Sequence, residues 1–204
     1  MYIPIRFFGL VSEKQIIFKV NIKSDKFFFH SVKYCDENEI NLKSLFYNVN
    51  KNAFSEIFAL KNNGINYLTC KSDCWYSVKV TDIEFLKDQI LIFDISEISQ
   101  KYSSKVSVID YTELIVDDAY DCIVHGNVNQ LGKRMLTYWK ITRDTYPYST
   151  NIKVDKIYSD AILNGAYGCS VDDNFMVVVC DKINKDKIIN KLKENNVHSI
   201  EWSF

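Results

Sequence analysis

Glycine, proline and arginine are all scarce in this chain. Its 204 residues hold six glycines and two prolines, and no stretch is of low complexity, so disorder is not expected. The arginines number three: Arg6, Arg134 and Arg143. Arginine is the preferred fork for bidentate phosphate contacts. Nucleic-acid binders carry a basic excess because neutralising phosphates drives their affinity. Here 25 basic residues face 26 acidic ones, a formal net charge of −1. No nucleic-acid partner is expected.

Long apolar runs are missing too. None approaches the ~18 residues that a membrane span needs, so no membrane partner is expected. The opening MYIPIRFFGL has no basic segment followed by an apolar one, so no signal peptide is read there. Cys35, Cys70, Cys74, Cys122, Cys169 and Cys180 contain no CxxC pair. A chain of this size needs no disulfide staples. The cysteines are read as reduced and the protein as cytoplasmic. No metal and no cofactor are expected.

What is abundant is core material. Hydrophobic residues make up 47% and aromatics 14%. The first third reads as strands over residues 3–8, 15–22 and 26–34, rich in Phe, Ile, Val and Tyr. Residues 42–60 show helix-like spacing, ended by Asn62-Asn63-Gly64. Strands are expected again at 65–70 and 75–80.

The second half opens with a buried strand, QILIFDI, at 89–95. A helix is predicted over 118–125, broken by Gly126-Asn127. A second starts at Asn127 as N-cap and carries Val128, Leu131, Met135, Tyr138 and Trp139. Trp139 is expected to be buried, facing Leu131, Met135 and the strand at 177–179. A third helix carries Val154, Ile157, Tyr158, Ala161 and Ile162, and Asn164-Gly165 ends it. Strands at 166–171 and 175–180 should pair across a tight turn. A lysine-rich helix is expected at 185–195 and a closing edge strand at 197–204. This order suggests helices stacked on one face of an antiparallel sheet. Two tightly packed halves are expected, 1–84 and 85–204.

The stretch GNVNQLGKRMLTYWKITRDTYPYSTNIKVDKIYSDAILNGAYG resembles the C-terminal domain of GHMP-superfamily sugar kinases, nearest the heptose 7-phosphate kinase and fucokinase subgroup. Leu131, Gly132, Trp139, Ser149, Asp155, Ile157, Tyr158, Ala161, Gly165, Ala166 and Gly168 take the subgroup's motif positions. ILIFDISEISQKYSS is similar to a second segment, with Asp94 and Ile95 where Thr and Gly are usual. SEIFALKNNGINYLTC resembles a third, in which the family's catalytic base falls on Glu56. PIRFFG resembles the family's opening. The resemblance thus implies Glu56 as catalytic and Arg6 and Asn66 as substrate-binding. It implies an α+β fold: a reduced S5-domain-2-like N-terminal half and a ferredoxin-like C-terminal half.

The same comparison shows what is gone. The family's ATP loop, P-x-G-x-G-L-G-S-S, cradles phosphates on backbone N–H groups at a helix N-terminus. No such run lies between Cys35 and Lys51. The family's late glycine motif should precede FMVVVC, where CSVDDN stands instead, and the opening triple glycine is reduced to Gly9. The expected function is therefore a degenerate kinase homologue, non-catalytic with ATP. It would act as a sugar- or small-molecule-binding module, or in protein interaction as a heteromer or homodimer. Two alternatives stay open. One is an enzyme acting on a sugar phosphate with Glu56 as general base; the other is a subunit that completes its site with a partner chain.

Each candidate has a plainer reading. Glu56 also suits a solvated helix position, and Asp172-Asp173-Asn174 suits a polar turn better than a Mg²⁺ site. Cys70 and Cys74 lack a second ligand pair for zinc. His30, His125 and His198 are isolated. Tyr138, Trp139, Tyr146, Tyr148 and Tyr158 suit a core stripe as well as a sugar platform.

Overall fold

In the computed structural model the described residues are 2–8, 14–22, 64–71, 74–80, 84–99, 110–145, 150–172 and 174–203. The expected strand at 26–34, the helices within 42–60 and Glu56 lie outside them.

Four strands form one antiparallel sheet in the order β1 (Tyr2–Phe8), β2 (Lys14–Ile22), β3 (Gly64–Lys71), β4 (Cys74–Val80). These match the strands read from β-branched and aromatic content. Both faces of β3 are buried: Ile65 on one, Asn66 and Leu68 on the other.

The second sheet has the order β5 (Ile90–Asp94), β7 (Phe175–Cys180), β6 (Ala166–Asp172), all antiparallel. The C-terminal tail runs along the outer edge of β5. Ser199 bridges Phe93, and the Ile200 N–H donates to the Ile92 carbonyl at 2.8 Å. Counting the tail as fourth strand, the spatial order is fourth, first, third, second. That is the ferredoxin-like arrangement, with extra helices between its first two strands. The tail then crosses to the first sheet, where β8 (Trp202–Ser203) pairs with Asn21 and Ile22 of β2. The closing strand is thus shorter than the expected 197–204 and divided between two sheets.

Helix α1 (Asp110–Val124) starts eight residues before its expected 118. Its buried set of Ile115, Val116, Ala119 and Ile123 is helical. The adjacent β-branched pair Ile115-Val116 masks that period in the sequence. Helix α2 (Val128–Thr145) buries Val128, Leu131, Gly132, Met135, Tyr138, Trp139 and Thr142, as the 3.6-residue period requires. Asn127 starts it, its side-chain oxygen accepting from the Gln130 N–H at 3.3 Å. Helix α3 (Ile152–Leu163) ends at Asn164 and Gly165, the latter with φ of 102°. Helix α4 (Lys185–Lys193) ends through Asn196 at φ 59°, a left-handed position asparagine tolerates. The Val197 N–H then reaches back to the Leu192 carbonyl at 3.2 Å.

The helices do not lie on one face of the second sheet. Every residue of β7 is buried, and the strand serves two cores. Phe175, Val177 and Val179 pack with Ile90, Ile92, α1 and Leu131, Met135 and Tyr138 of α2; Ile16, Ile65 and Val80 of the first sheet join this cluster. Met176, Val178 and Cys180 pack with Leu91, Phe93, α3 and α4. Trp139 is buried at 3% exposure, as expected, and shares a core with Val178 of the expected strand, but not with Leu131 and Met135. It belongs to the second core, stacked on Tyr158 at 5.6 Å between centroids, while Leu131 and Met135 belong to the first. Adjacent positions on α2 point to opposite sides of the sheet's edge. Of the aromatic stripe, Tyr138, Trp139 and Tyr158 are core, while Tyr146 and Tyr148 lie outside the described residues.

Candidate functional site

Three motif segments converge at one end of the second sheet. The first is the end of β5. There the Asp94 carboxylate accepts from the Ser96 N–H at 3.0 Å and the Ser96 hydroxyl at 2.6 Å, turning the chain sharply. The second is the β6–β7 hairpin. The Ile95 N–H donates to the Asn174 carbonyl at 2.9 Å, tying hairpin to β5. The third is the start of α3. The Asn151 side-chain oxygen caps the Lys153 and Val154 N–H groups at 2.9 and 3.0 Å. Its amide nitrogen donates to the Ile98 carbonyl at 2.7 Å. One asparagine therefore both starts α3 and fixes the segment after β5. Beside it the Thr150 hydroxyl donates to Asp155 at 2.9 Å, and Arg143 lies 3.9 Å from the same carboxylate.

The hairpin is closed as the sequence suggested. Asp172 pairs with Phe175, leaving only residues 173 and 174 between paired positions. Such short connections favour Asp and Asn.

Of the site residues implied by the resemblance, Glu56 is outside the described residues. Arg6 and Asn66 stand in one cross-strand row: Arg6 pairs with Ile17, and Ile17 pairs with Asn66. Asn66 is buried at 2% exposure, and its amide nitrogen lies 3.5 Å from the Gly64 carbonyl. It faces away from the side of β3 that packs on α1, because Ile65 and Tyr67 take that side.

A polar junction between the first sheet and α1 has no counterpart in the sequence pattern. The Tyr67 hydroxyl donates a short hydrogen bond to Asp117, and its ring stacks on Tyr120 at 4.5 Å. Burial and then the Asp117 bond push the Tyr67 phenol above its ordinary value, so it remains a donor. Nearby, Arg134 of α2 forms an ion pair with Asp118 of α1 at 3.3 Å. These partners are 50 and 16 residues apart in sequence, beyond any local pattern.

The chemistry available here is hydrogen bonding. Among the described residues, no three His, Cys, Asp or Glu residues gather to hold a metal. His125 is exposed, its Nδ1 2.8 Å from the Asp121 carbonyl, and His198 is exposed as well. Cys122, Cys169 and Cys180 are free thiols. No helix of the described residues is long and apolar enough to cross a membrane.

No protein-family profile matches the chain, and no curated protein sequence does. Solved structures do match. Methanococcus jannaschii mevalonate kinase aligns over 100% of this chain and 97% of its own, with TM-score 0.64 and 11% identity. Lactococcus lactis galactokinase, complexed with galactose, aligns over 98% and 92%, with TM-score 0.63 and 9% identity. A D-glycero-D-manno-heptose 1-phosphate kinase from Bacteroides thetaiotaomicron aligns over 85% of this chain, with TM-score 0.57 and 15% identity. Against two of the sugar-kinase structures the chain spans only 58% and 51% of their length. Identities this low speak to architecture alone. The chain has the α+β fold of the GHMP kinases.

Proposed function

We propose that this protein is a GHMP-fold module that does not use ATP as a phosphoryl donor. It acts instead by binding a sugar or related small molecule, or a protein partner. The observation that carries this reading is the closed β6–β7 hairpin, with Asp172 paired to Phe175. In the family the chain resembles, a glycine-rich segment stands at that place and lets backbone approach a ligand closely. Aspartate and asparagine carry a Cβ and a polar side chain that bonds to its own turn. Acidic side chains beside a polyphosphate are also repulsive. The absence of a P-x-G-x-G-L-G-S-S run points the same way. The sugar class follows from the galactokinase and heptose 1-phosphate kinase among its structural neighbours.

The test is thermal unfolding with and without ATP and Mg²⁺, beside a panel of free hexoses and hexose phosphates. A ligand stabilises only by binding the native state. ATP should leave the midpoint within about a degree, while a sugar raises it. A rise of several degrees with ATP defeats the proposal.

A second reading is a subunit that completes its site with a partner chain. It is favoured by β4, which among the described residues pairs with β3 alone and exposes Tyr76 and Val78 at 57% and 48%. Light scattering showing a monodisperse monomer that co-purifies with nothing would remove it.

A further inference from the structure

A different feature lies toward the start of β5, away from the end where the three motif segments converge. A cleft of about 430 Å³ opens there, lined by β5 and the turn before it, by α4 and by the tail at 199–203. Clefts of this order hold small molecules. Much of the lining is apolar. Ile189 of α4 and Ile200 and Trp202 of the tail are half-buried, each packed against a core with part of its surface left uncovered. Removing such surface from water is favourable, and Trp202 offers a flat face on which a ring can lie.

The charges around this cleft do not pair off evenly. Lys182, just outside the lining, reaches Asp88 at 2.7 Å, and Lys87 lies 3.8 Å from Glu84. Lys185, the first residue of α4, is half-buried in the lining and has no ion pair among the described residues. The Asp88 carboxyl is held below its ordinary value first by the Lys182 hydrogen bond and charge, and further by Lys185 and Lys87. Three ammonium groups thus share two carboxylates, and Lys185 is left over. Glu201 also lines the cleft and is itself engaged. The helix dipole disfavours a cation in a first turn, so Lys185 gains nothing from α4 at that place.

We infer that this cleft binds a small aromatic carboxylic acid in its anionic form, the carboxylate meeting Lys185 and the ring covering Ile189, Ile200 and Trp202. One unpaired cation matches one negative charge. A phosphate dianion would bring a second negative charge beside Asp88 and Glu201, where like charges repel. An uncharged sugar would set hydroxyls against the apolar wall without partners, which is costly. The site therefore differs in place and in ligand from the sugar site proposed above, and either can fail alone.

The test is an NMR titration of the nitrogen-labelled full chain with naphthoate. Loss of a signal in Trp202→Phe identifies the Trp202 indole N–H. That signal and the Ile189 amide should shift saturably, with a dissociation constant on the order of a millimolar or below. Naphthamide, which keeps the rings and lacks the charge, should bind about five-fold more weakly. Lys185→Gln should weaken naphthoate by about the same factor. Lys187→Gln removes the same charge from an exposed position of α4 outside the cleft and should leave the affinity unchanged. The inference is overturned if naphthoate shows no saturation by about 10 mM. It is overturned equally if naphthamide binds as tightly, if the two lysine variants weaken binding alike, or if acetate or inorganic phosphate produces the same shifts at the same concentrations. The comparison of naphthoate with naphthamide needs no variant, so the inference stays testable even if Lys185→Gln does not fold.

Discussion

Gly132 of α2 and Gly168 of β6 stand backbone to backbone. A Cβ on Gly168 would lie 2.7 Å from the Gly132 carbonyl carbon and closer still to its oxygen. A Cβ on Gly132 would lie 2.7 Å from the Tyr167 carbonyl carbon. The helix backbone rests on the strand here, and further along α2 Tyr138 and Trp139 fall in separate cores. Gly168→Ala must push main chain apart, so its cost should reach or exceed the ~1–3 kcal/mol usual for overpacking. Gly126 has a φ of +67° but open space around it, so Gly126→Ala should cost about 1 kcal/mol, from backbone strain alone. Urea unfolding of the two variants measures the difference. Equal effects would contradict the close approach.

Trp139 and Tyr158 form the aromatic centre of the second core. Trp139→Ala should cost about 3–5 kcal/mol, as emptying a large aromatic site does. A double-mutant cycle with Tyr158→Ala should show coupling of about 0.5–1.5 kcal/mol for the stacked pair. Additive losses would mean that the two rings do not sense one another.

Asn151 performs two tasks that separate on substitution. Asn151→Asp keeps the acceptor for the α3 cap but removes the donor to the Ile98 carbonyl. Asn151→Ala removes both, and should cost about 1–2 kcal/mol for the cap with the lost bond added. The aspartate variant should sit between wild type and alanine in unfolding free energy. If it equals wild type, the Ile98 bond contributes nothing.

Burial pushes the Cys180 thiol up to about 11, and Cys169 is raised by the same cause. The unfolded chain would ionise these thiols near the ordinary 9.0. Below that pH both states are protonated and the full stability is present. Between about 9 and 11 the unfolded state loses protons that the folded state keeps, so stability falls as pH rises. The urea midpoint should drop between pH 8 and 10.5, and less so in Cys180→Ala. An equal drop in the variant would show that other groups carry the effect.

Much of the second half was legible because its signals are local. The 3.6-residue spacing from Val128 to Trp139, the Asn164-Gly165 stop and the apolar run FMVVVC each decide one element without help from the rest. What escaped depends on tertiary partners. Ile115-Val116 conceals the start of α1 because two β-branched residues in a row read as strand. The second face of β7 was invisible because a run buried on both sides has no period. The division of the tail between Phe93 and Ile22 is set by two sheets, neither of which a local pattern contains. The Tyr67–Asp117 bond joins residues that no spacing rule connects. Arg6 and Asn66 came from motif resemblance, and their common row emerges only from strand register.

On the proposed reading the chain does not bind ATP. Isothermal titration of the full chain with ATP in excess Mg²⁺ tests it most directly. No heat of binding is expected at protein concentrations of tens of micromolar. Saturable binding with a micromolar dissociation constant would contradict it.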